Sequence, residues 1–343
     1  MKKLFFIAAI AGAALVSCTK NELAPSVTAQ EEISFAAPVV GAQTKVFGAI
    51  GATYDKEEDF DVWSKWNKTE ITVWGGTDYI VDKPVTHNEA TPGGWHFTPA
   101  YYWPAEGYLS FVAVSPSIGN NVTYSDTYGF TIADWSQGAT QDKIVDLMYS
   151  SPSFNHQKAT YTSGDNAGEE AIYTYKGVDI KFNHALSYLV FTIKTADSYS
   201  TNTFQLKKIT LSGIYTTGSF TQKPSGTDPN WAVNTSGSTG TYVAYEGTLP
   251  FGNSPVLAEA VKHEEIILLP QTLTAGKQKL TIDYQIKADG DWINQKQEVY
   301  LESGTIKTWQ MGMKYTYNLS VSMTEIILDP AVAEWKDGGS TDL

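Results

Sequence analysis

One thiol, five imidazoles and a surplus of carboxylates are the groups in this chain that could do chemistry. Cys18 is the only cysteine, so it forms no internal disulfide and its sulfur is left for modification. His87, His96, His156, His184 and His263 are scattered and show no metal-ligand pairing. His263-Glu264-Glu265-Ile266-Ile267 opens like a zinc-protease helix, but Ile267 stands where the second histidine belongs and the segment runs into a strand pattern. His184 sits beside a strand and reads as a hydrogen-bonded structural histidine. Asp289-Gly290-Asp291 offers carboxylates on a turn, as calcium requires, yet its flanking strands and Asp-Gly pair favour a plain hairpin. The acids of Asp55–Asp61 could serve glycosidase chemistry, which an acidic chain mimics by chance. Trp63, Trp66 and Trp74 could stack on sugars, although aromatics in β-sandwiches mostly fill the core. No nucleophile elbow, P-loop or dinucleotide fingerprint occurs. No catalytic residue, cofactor site or metal site emerges, so the chain reads as a non-enzyme.

Cys18 has a context. Lys2 and Lys3, then about thirteen apolar or small residues, form a secretory signal peptide over residues 1–17, too short to span a membrane. It closes on Leu15-Val16-Ser17-Cys18, which resembles the bacterial lipobox. That resemblance implies a diacylglycerol thioether on Cys18, cleavage before it and acylation of the new amine. Several acyl chains, at roughly 0.8 kcal/mol per buried CH₂, make a stable anchor in outer-membrane lipid. Residues 18–32 are polar and small, a lipidated tether. Thr19-Lys20-Asn21-Glu22 loosely resembles the Bacteroidetes signal for carriage to the outer surface.

The chain has 343 residues, with 37 acids against 24 bases, and every base is lysine. Loss of residues 1–17 removes two lysines and no acid, so the mature balance is 22 − 37 = −15. Such a charge repels phosphate backbones, so nucleic acid is no partner. Lack of arginine removes bidentate capture of carboxylate or phosphate.

The elements are short strands. Twenty tyrosines, ten tryptophans, many threonines and recurring Gly, Pro, Asn and Asp argue for an all-β protein. Strands are expected at Ile33–Val39, Ile71–Trp74, Trp95–Phe97, Leu109–Val114 and Asp142–Tyr149. In the second half they are expected at Val178–Phe182, Tyr188–Ile193, Lys208–Ile214, Glu265–Leu269, Lys279–Ile286, Gln297–Leu301 and Lys314–Met323. Val256–Val261 is the best helical candidate, a turn or two at most. The polar stretch Ser150–Gly168 is the expected domain boundary, giving one sandwich over 33–168 and another over 169–323. Residues 324–343 carry an apolar run, Ile326–Trp335, unusual so close to a terminus.

Several stretches together resemble one family. They are the lipobox, Tyr102-Trp103-Pro104 with Leu109–Pro116, Asp146–Tyr149, Ile180–Ser187, Leu268-Leu269-Pro270-Gln271, Trp309 with Gly312 and Tyr315–Leu319, and Trp335–Gly339. In that order, over nearly the whole chain, they are similar to Bacteroidetes fimbrillins, the type V pilins. The resemblance implies two tandem transthyretin-like (Greek-key) β-sandwich domains. It also implies a pilus subunit, or its lipid-anchored accessory, whose partners are other pilin subunits and an adhesion target on a host or bacterium. In that family a protease cuts after a basic residue near the first strand and removes that strand. A terminal strand of the next subunit then fills the groove.

The residues here suit that scheme. Lys45 is the only basic residue between Lys20 and Lys56 and directly follows Ile33–Val40. A cut between Lys45 and Val46 would release residues 18–45, lipid and first strand together. Ile326–Trp335 offers a donor, in which Ile326, Leu328, Val332 and Trp335 would contribute roughly 6–12 kcal/mol gross, at about 1.5–3 each. Pro330 is expected to break the ladder, so that the donor pairs in two pieces. The family's usual cutter prefers arginine, and this position holds lysine. The alternative is an uncleaved surface lipoprotein, acting as a pilus anchor or as a glycan- or protein-binding module.

Overall fold

The computed structural model describes residues 31–40, 54–89, 94–127, 129–138, 144–157, 177–196, 203–223, 229–257, 266–322 and 326–335. Cys18, Lys45, Val46 and His263–Glu265 lie outside them. The described chain is built of strands, with two short 3₁₀ turns at Gly119–Asn121 and Leu301–Ser303. The expected all-β class is what forms.

Among the described residues the strands make four sheets. The first has nine strands. Its path runs Ser34–Phe35, Trp95–Phe97, Thr77–His87, Phe60–Asn67, Tyr108–Ser115, Met148–Ser150, Lys181–His184 and Val39–Val40, with Ser153–His156 also pairing on Tyr108–Ser115. The first and last members of that path belong to one short stretch of chain, so residues 33–40 close the sheet on itself. Phe35, Phe60, Phe97, Phe111 and Phe182 fill its inside.

A second core lies between two sheets of the C-terminal half. One carries Ser187–Thr195, Met313–Val321 and Ile326–Glu334, with Val256–Leu257 and Ile266–Leu268 on the free side of Ser187–Thr195. The other runs Thr239–Phe251, Phe204–Tyr215, Lys279–Ala288, Asp291–Tyr300. Alternation along Met313–Val321 places Tyr315, Tyr317, Leu319 and Val321 in this core and leaves Thr316, Asn318 and Ser320 half-buried on the other face.

The fourth sheet joins the halves. Val122–Ser125 and Gly129–Ser136 come from the first half, and Thr217–Gln222 and Asn230–Val233 from the second. A third core, with Trp63, Val114, Phe130, Phe220, Leu186, Leu269 and Trp335, lies at this junction.

Some expected elements differ. Ile71–Trp74 is bent rather than a strand. Its backbone polar groups are satisfied in part by a side chain: Asn155 Oδ1 accepts from Ile71 N at 2.8 Å and Asn155 Nδ2 donates to Ile71 O at 2.9 Å. Of Val256–Val261, the described Val256 and Leu257 are a two-residue strand rather than a helical turn, because they pair with Ile193 and Thr192, and residues 258–261 lie outside the described residues. In the described part of Asp142–Tyr149, residues 144–149, only Met148 and Tyr149 are in a strand. Within Ser150–Gly168, Ser153–His156 is a strand. The hairpin expected at Asp289-Gly290 does form, with φ of 52° and 95° in a two-residue turn and Ala288 opposite Asp291. Two positive φ values are what a type I′ turn requires. Trp63 and Trp74 are buried, and Trp66 donates its indole N–H to Glu106 O at 2.9 Å.

Candidate functional site: the first segment and the C-terminal strand

Residues 31–40 are paired on both sides. On one side Ile33 N donates to Tyr101 O at 2.7 Å, and Trp103 N donates to Glu31 O at 2.9 Å. Ser34 and Phe35 lie antiparallel to His96 and Trp95. On the other side Ala36 N donates to Val178 O at 3.0 Å, Val178 N to Ser34 O at 2.8 Å, and Val39 N to Ile180 O at 3.0 Å. Val39 and Val40 run parallel to Lys181 and Phe182. The segment is thus a strip laid into a seam rather than an outer edge.

Half of its residues are buried, and Ala37 is exposed. Ile33, Phe35 and Val40 are buried in the first core. The Phe35 ring meets Phe60, Phe97 and Phe111 edge-on, with centroids 5.7, 5.6 and 5.6 Å away. Three such side chains are worth roughly 5–9 kcal/mol gross, at about 1.5–3 each, an upper bound because the unfolded chain also buries some of this surface. Removing the strip would expose an apolar slot with an unpaired sheet edge along each side, a template for a new strand.

The C-terminal strand Ile326–Glu334 lies antiparallel to Met313–Val321, from Val321 opposite Ile326 to Met313 opposite Glu334. The ladder runs through Pro330 without interruption, contrary to the expected break. Pro330 sits opposite Tyr317 on the last strand of its sheet, where a missing N–H is tolerated.

The four expected donor side chains do not act as one group. Ile326 and Leu328 are half-buried against the second core. Val332 is 46% exposed, and the outward Ile327 is 50% exposed. Trp335 alone in Ile326–Trp335 is buried, and it lies on the opposite parity, in the junction core. Its ring stacks on His184 at 3.4 Å and 6°, with Tyr188 at 5.3 Å and 30°. Its backbone N–H donates to Gly312 O at 2.8 Å, and Gly312 N donates to Leu186 O at 2.8 Å. The His184 ring is held by Asp146, whose carboxylate oxygens accept from Nδ1 at 3.0 and 3.1 Å. The structural role expected of His184 is therefore met, with Trp335 as a partner that no local pattern in the sequence announces.

Other titratable groups are structural. Burial pushes His156 down to about 4, and Ser153 Oγ lies 2.7 Å from its Nε2. Burial raises the Asp61 carboxyl, partly offset by the Ser117 hydroxyl at 2.7 Å and Ile118 N at 3.1 Å. Burial acts to lower the Lys65 ammonium, but Asp78 at 2.5 Å and Asp126 at 3.0 Å raise it on balance. Among the described residues no group of three His, Cys, Asp or Glu could hold a metal ion.

The fold has solved counterparts. A protein from Bacteroides uniformis named for cell adhesion shares 18% identity with this chain, over 89% of it and 99% of the other, at a TM-score of 0.54. A fimbrial protein from Bacteroides vulgatus shares 15% identity over 88% of this chain and 100% of its own, at a TM-score of 0.58. At such identities these likenesses speak for the fold alone. No curated protein matches the chain. A family model described as fimbrillin-like matches residues 44–335, from the residue before Lys45 to Trp335. That span is most of the chain, and the chain belongs to the fimbrillin-like family.

Proposed function

We propose that this chain is a structural subunit of a cell-surface pilus that reaches the outer membrane as a lipoprotein and polymerises by strand exchange. Cys18 carries the lipid. Proteolysis between Lys45 and Val46 releases residues 18–45, and the slot they leave takes Ile326–Trp335 from another copy. Two transthyretin-like sandwiches form the body, and the released fimbrium meets an adhesion target on a host or bacterial surface. The observation that carries this reading is the closure of one nine-stranded sheet by residues 33–40, which pair along both sides and bury Ile33, Phe35 and Val40. A strip so placed can leave only by opening a slot of its own shape, and strand addition is the natural way to refill it. Cleavage after Lys45 and gel analysis without boiling test it. The expected result is a ladder that disappears when residues 324–343 are deleted. Monomer alone under every cleavage condition would sink it.

A second reading has its own support. The C-terminal strand is docked on its own sheet, so an uncut chain has both its slot filled and its donor occupied. Left uncut at Lys45, such a chain would keep its lipid and serve as an anchor or a surface binding module. Burial of Trp63 and Trp74 removes them from any glycan-stacking surface of that module. The N-terminal residue of the protein recovered from cells separates the readings: Val46 for the subunit, acylated Cys18 for the anchor.

A further inference from the structure

We propose that Trp335, His184 and Asp146 form a latch that keeps the C-terminal strand on its own sheet for as long as the first segment is in place. The proposal rests on the strand-donor reading and adds a control to it: the donor is restrained until the slot opens.

The grip on the C-terminal strand is concentrated at its end. Residues Ile326–Glu334 are half-buried or exposed, and Trp335 is buried. The strand is the last of its sheet, and Pro330 brings no N–H to the ladder. Trp335 therefore supplies the largest apolar contact of this strand, flat on the His184 ring at 3.4 Å. Asp146, on Nδ1, fixes the orientation of that ring.

The surface under Trp335 belongs to the first sheet. His184 ends Lys181–His184, a strand of four residues with two neighbours. Met148–Ser150 pairs along one side, with His184 opposite Met148. Val39–Val40 of the first segment pairs along the other, opposite Lys181 and Phe182. Phe182, two residues before His184, faces the first core, stacked on Tyr54 at 5.6 Å and edge-on to Phe60 at 5.6 Å. The same four residues thus bear on the core that holds Phe35 and present the ring that holds Trp335. Loss of residues 18–45 removes one of the two ladders and part of the packing under this strand. The His184 platform then loosens, and the C-terminal strand is freed when a slot becomes available. Coupling between two sites is reciprocal, so the docked tryptophan must also steady the first segment.

Amide hydrogen exchange on the full uncut chain tests the latch in both directions. Trp335→Ala is expected to speed exchange at least about fivefold, the low end of usual coupling. It should do so at 326–334 and also at 181–184 and 33–40. Phe35→Ala is expected to speed exchange at 326–334 to a similar degree, whereas Val85→Ala, a cavity in the same core on another strand, leaves 326–334 at the wild-type rate. If Phe35→Ala does not fold, Val39→Gly, at a half-buried position of the same segment, takes its place. Trp335→Ala acting on 326–334 alone, or a loosened first segment with 326–334 unchanged, overturns the proposal. The ladder assay on cleaved wild-type protein is read separately. Polymer without coupling removes the latch and keeps the donor; coupling without polymer keeps the latch as a docking contact and removes the donor.

Discussion

The backbone of Gly177 lies against that of Phe35 so closely that a Cβ on Gly177 would fall 2.3 Å from the Phe35 carbonyl carbon and 2.5 Å from Ala36 N. Gly177 also has φ of +73°, a region that L side chains enter at a cost of roughly 1–2 kcal/mol. Its obstacle is backbone, which cannot swing aside as a side chain would. Gly177→Ala is therefore expected to destabilise the chain by at least about 2 kcal/mol and to loosen the first segment in particular. Gly276→Ala, with φ of +71° and open space around it, is the control and should cost about 1 kcal/mol. Urea unfolding gives the stabilities. Limited proteolysis gives the local effect, as faster cleavage at Lys45 in Gly177→Ala and not in Gly276→Ala. Equal cleavage rates in the two would mean that Gly177 does not govern the seam.

His156 makes stability depend on pH in one direction. Burial lowers its folded pKa from 6.5 to about 4, so the unfolded state takes up the proton first. Its contribution is complete above pH 6.5 and is lost as the pH falls from 6.5 through 4. The shift corresponds to at most about 3 kcal/mol, at about 1.36 per unit. Burial raises Asp59, Asp61 and Asp82, and these act with the opposite sign, favouring the folded state as they protonate. The difference between wild type and His156→Gln therefore isolates the histidine. The variant's unfolding free energy should fall less steeply than that of wild type between pH 6.5 and 4, and parallel curves would exclude the assignment.

Gln271 shows why a polar residue sits in an apolar stretch. It is buried; its Oε1 accepts from Tyr215 N at 3.0 Å, and its Nε2 donates to Tyr215 O at 3.2 Å and Leu269 O at 3.1 Å. One amide thereby ties the backbone at the end of Phe204–Tyr215 to the backbone just after Ile266–Leu268, a strand of another sheet. Gln271→Leu keeps the volume but orphans three backbone groups, at about 1–3 kcal/mol for each that stays dry. A loss of roughly 2–4 kcal/mol in urea unfolding is expected. A loss below about 1 kcal/mol would mean that water replaces the amide.

What the sequence made legible, and what it hid, follows from where each strand is buried. Lys279–Ala288 and Met313–Val321 are covered on one face, alternate cleanly, and are readable as strands. Phe60–Asn67 is covered on both faces, Phe60 and Val62 toward the first core and Trp63 toward the junction, so its pattern has no period. Ile71–Trp74 has strand composition, but Asn155, 84 residues from Ile71, satisfies its backbone there. The sheet shared by Gly129–Ser136 and Thr217–Gln222 joins residues from 81 (Thr217 and Ser136) to 92 (Gln222 and Phe130) positions apart, which no local pattern reports. For the candidate site, the apolar character of Ile33–Val40 and Ile326–Trp335 is visible in the sequence. Closure of a sheet by one segment is not, because it is a property of two distant edges. Nor is the pairing of Trp335 with His184: Trp335 looks like one more apolar donor residue, and only its parity separates it from Ile326, Leu328 and Val332.

Val332 offers the sharpest separation of monomer from polymer. In the folded chain it is 46% exposed at the outer strand of its sheet, opposite Tyr315. A charge there meets water, so Val332→Lys is expected to change stability by no more than about 0.5 kcal/mol. In an apolar slot like the one Phe35 fills, the same ammonium would be stripped of water with no carboxylate among Phe60, Phe97 and Phe111 to receive it. The variant should therefore fold and unfold like wild type, be cut after Lys45 at the same rate, and yet fail to form a ladder. Val332→Ile, which adds one methylene and no charge, should form it. Size-exclusion chromatography of the cleaved proteins decides the matter. Polymer of wild-type length from Val332→Lys would show that this side chain never enters a slot, and the donor would then have to be sought outside Ile326–Trp335.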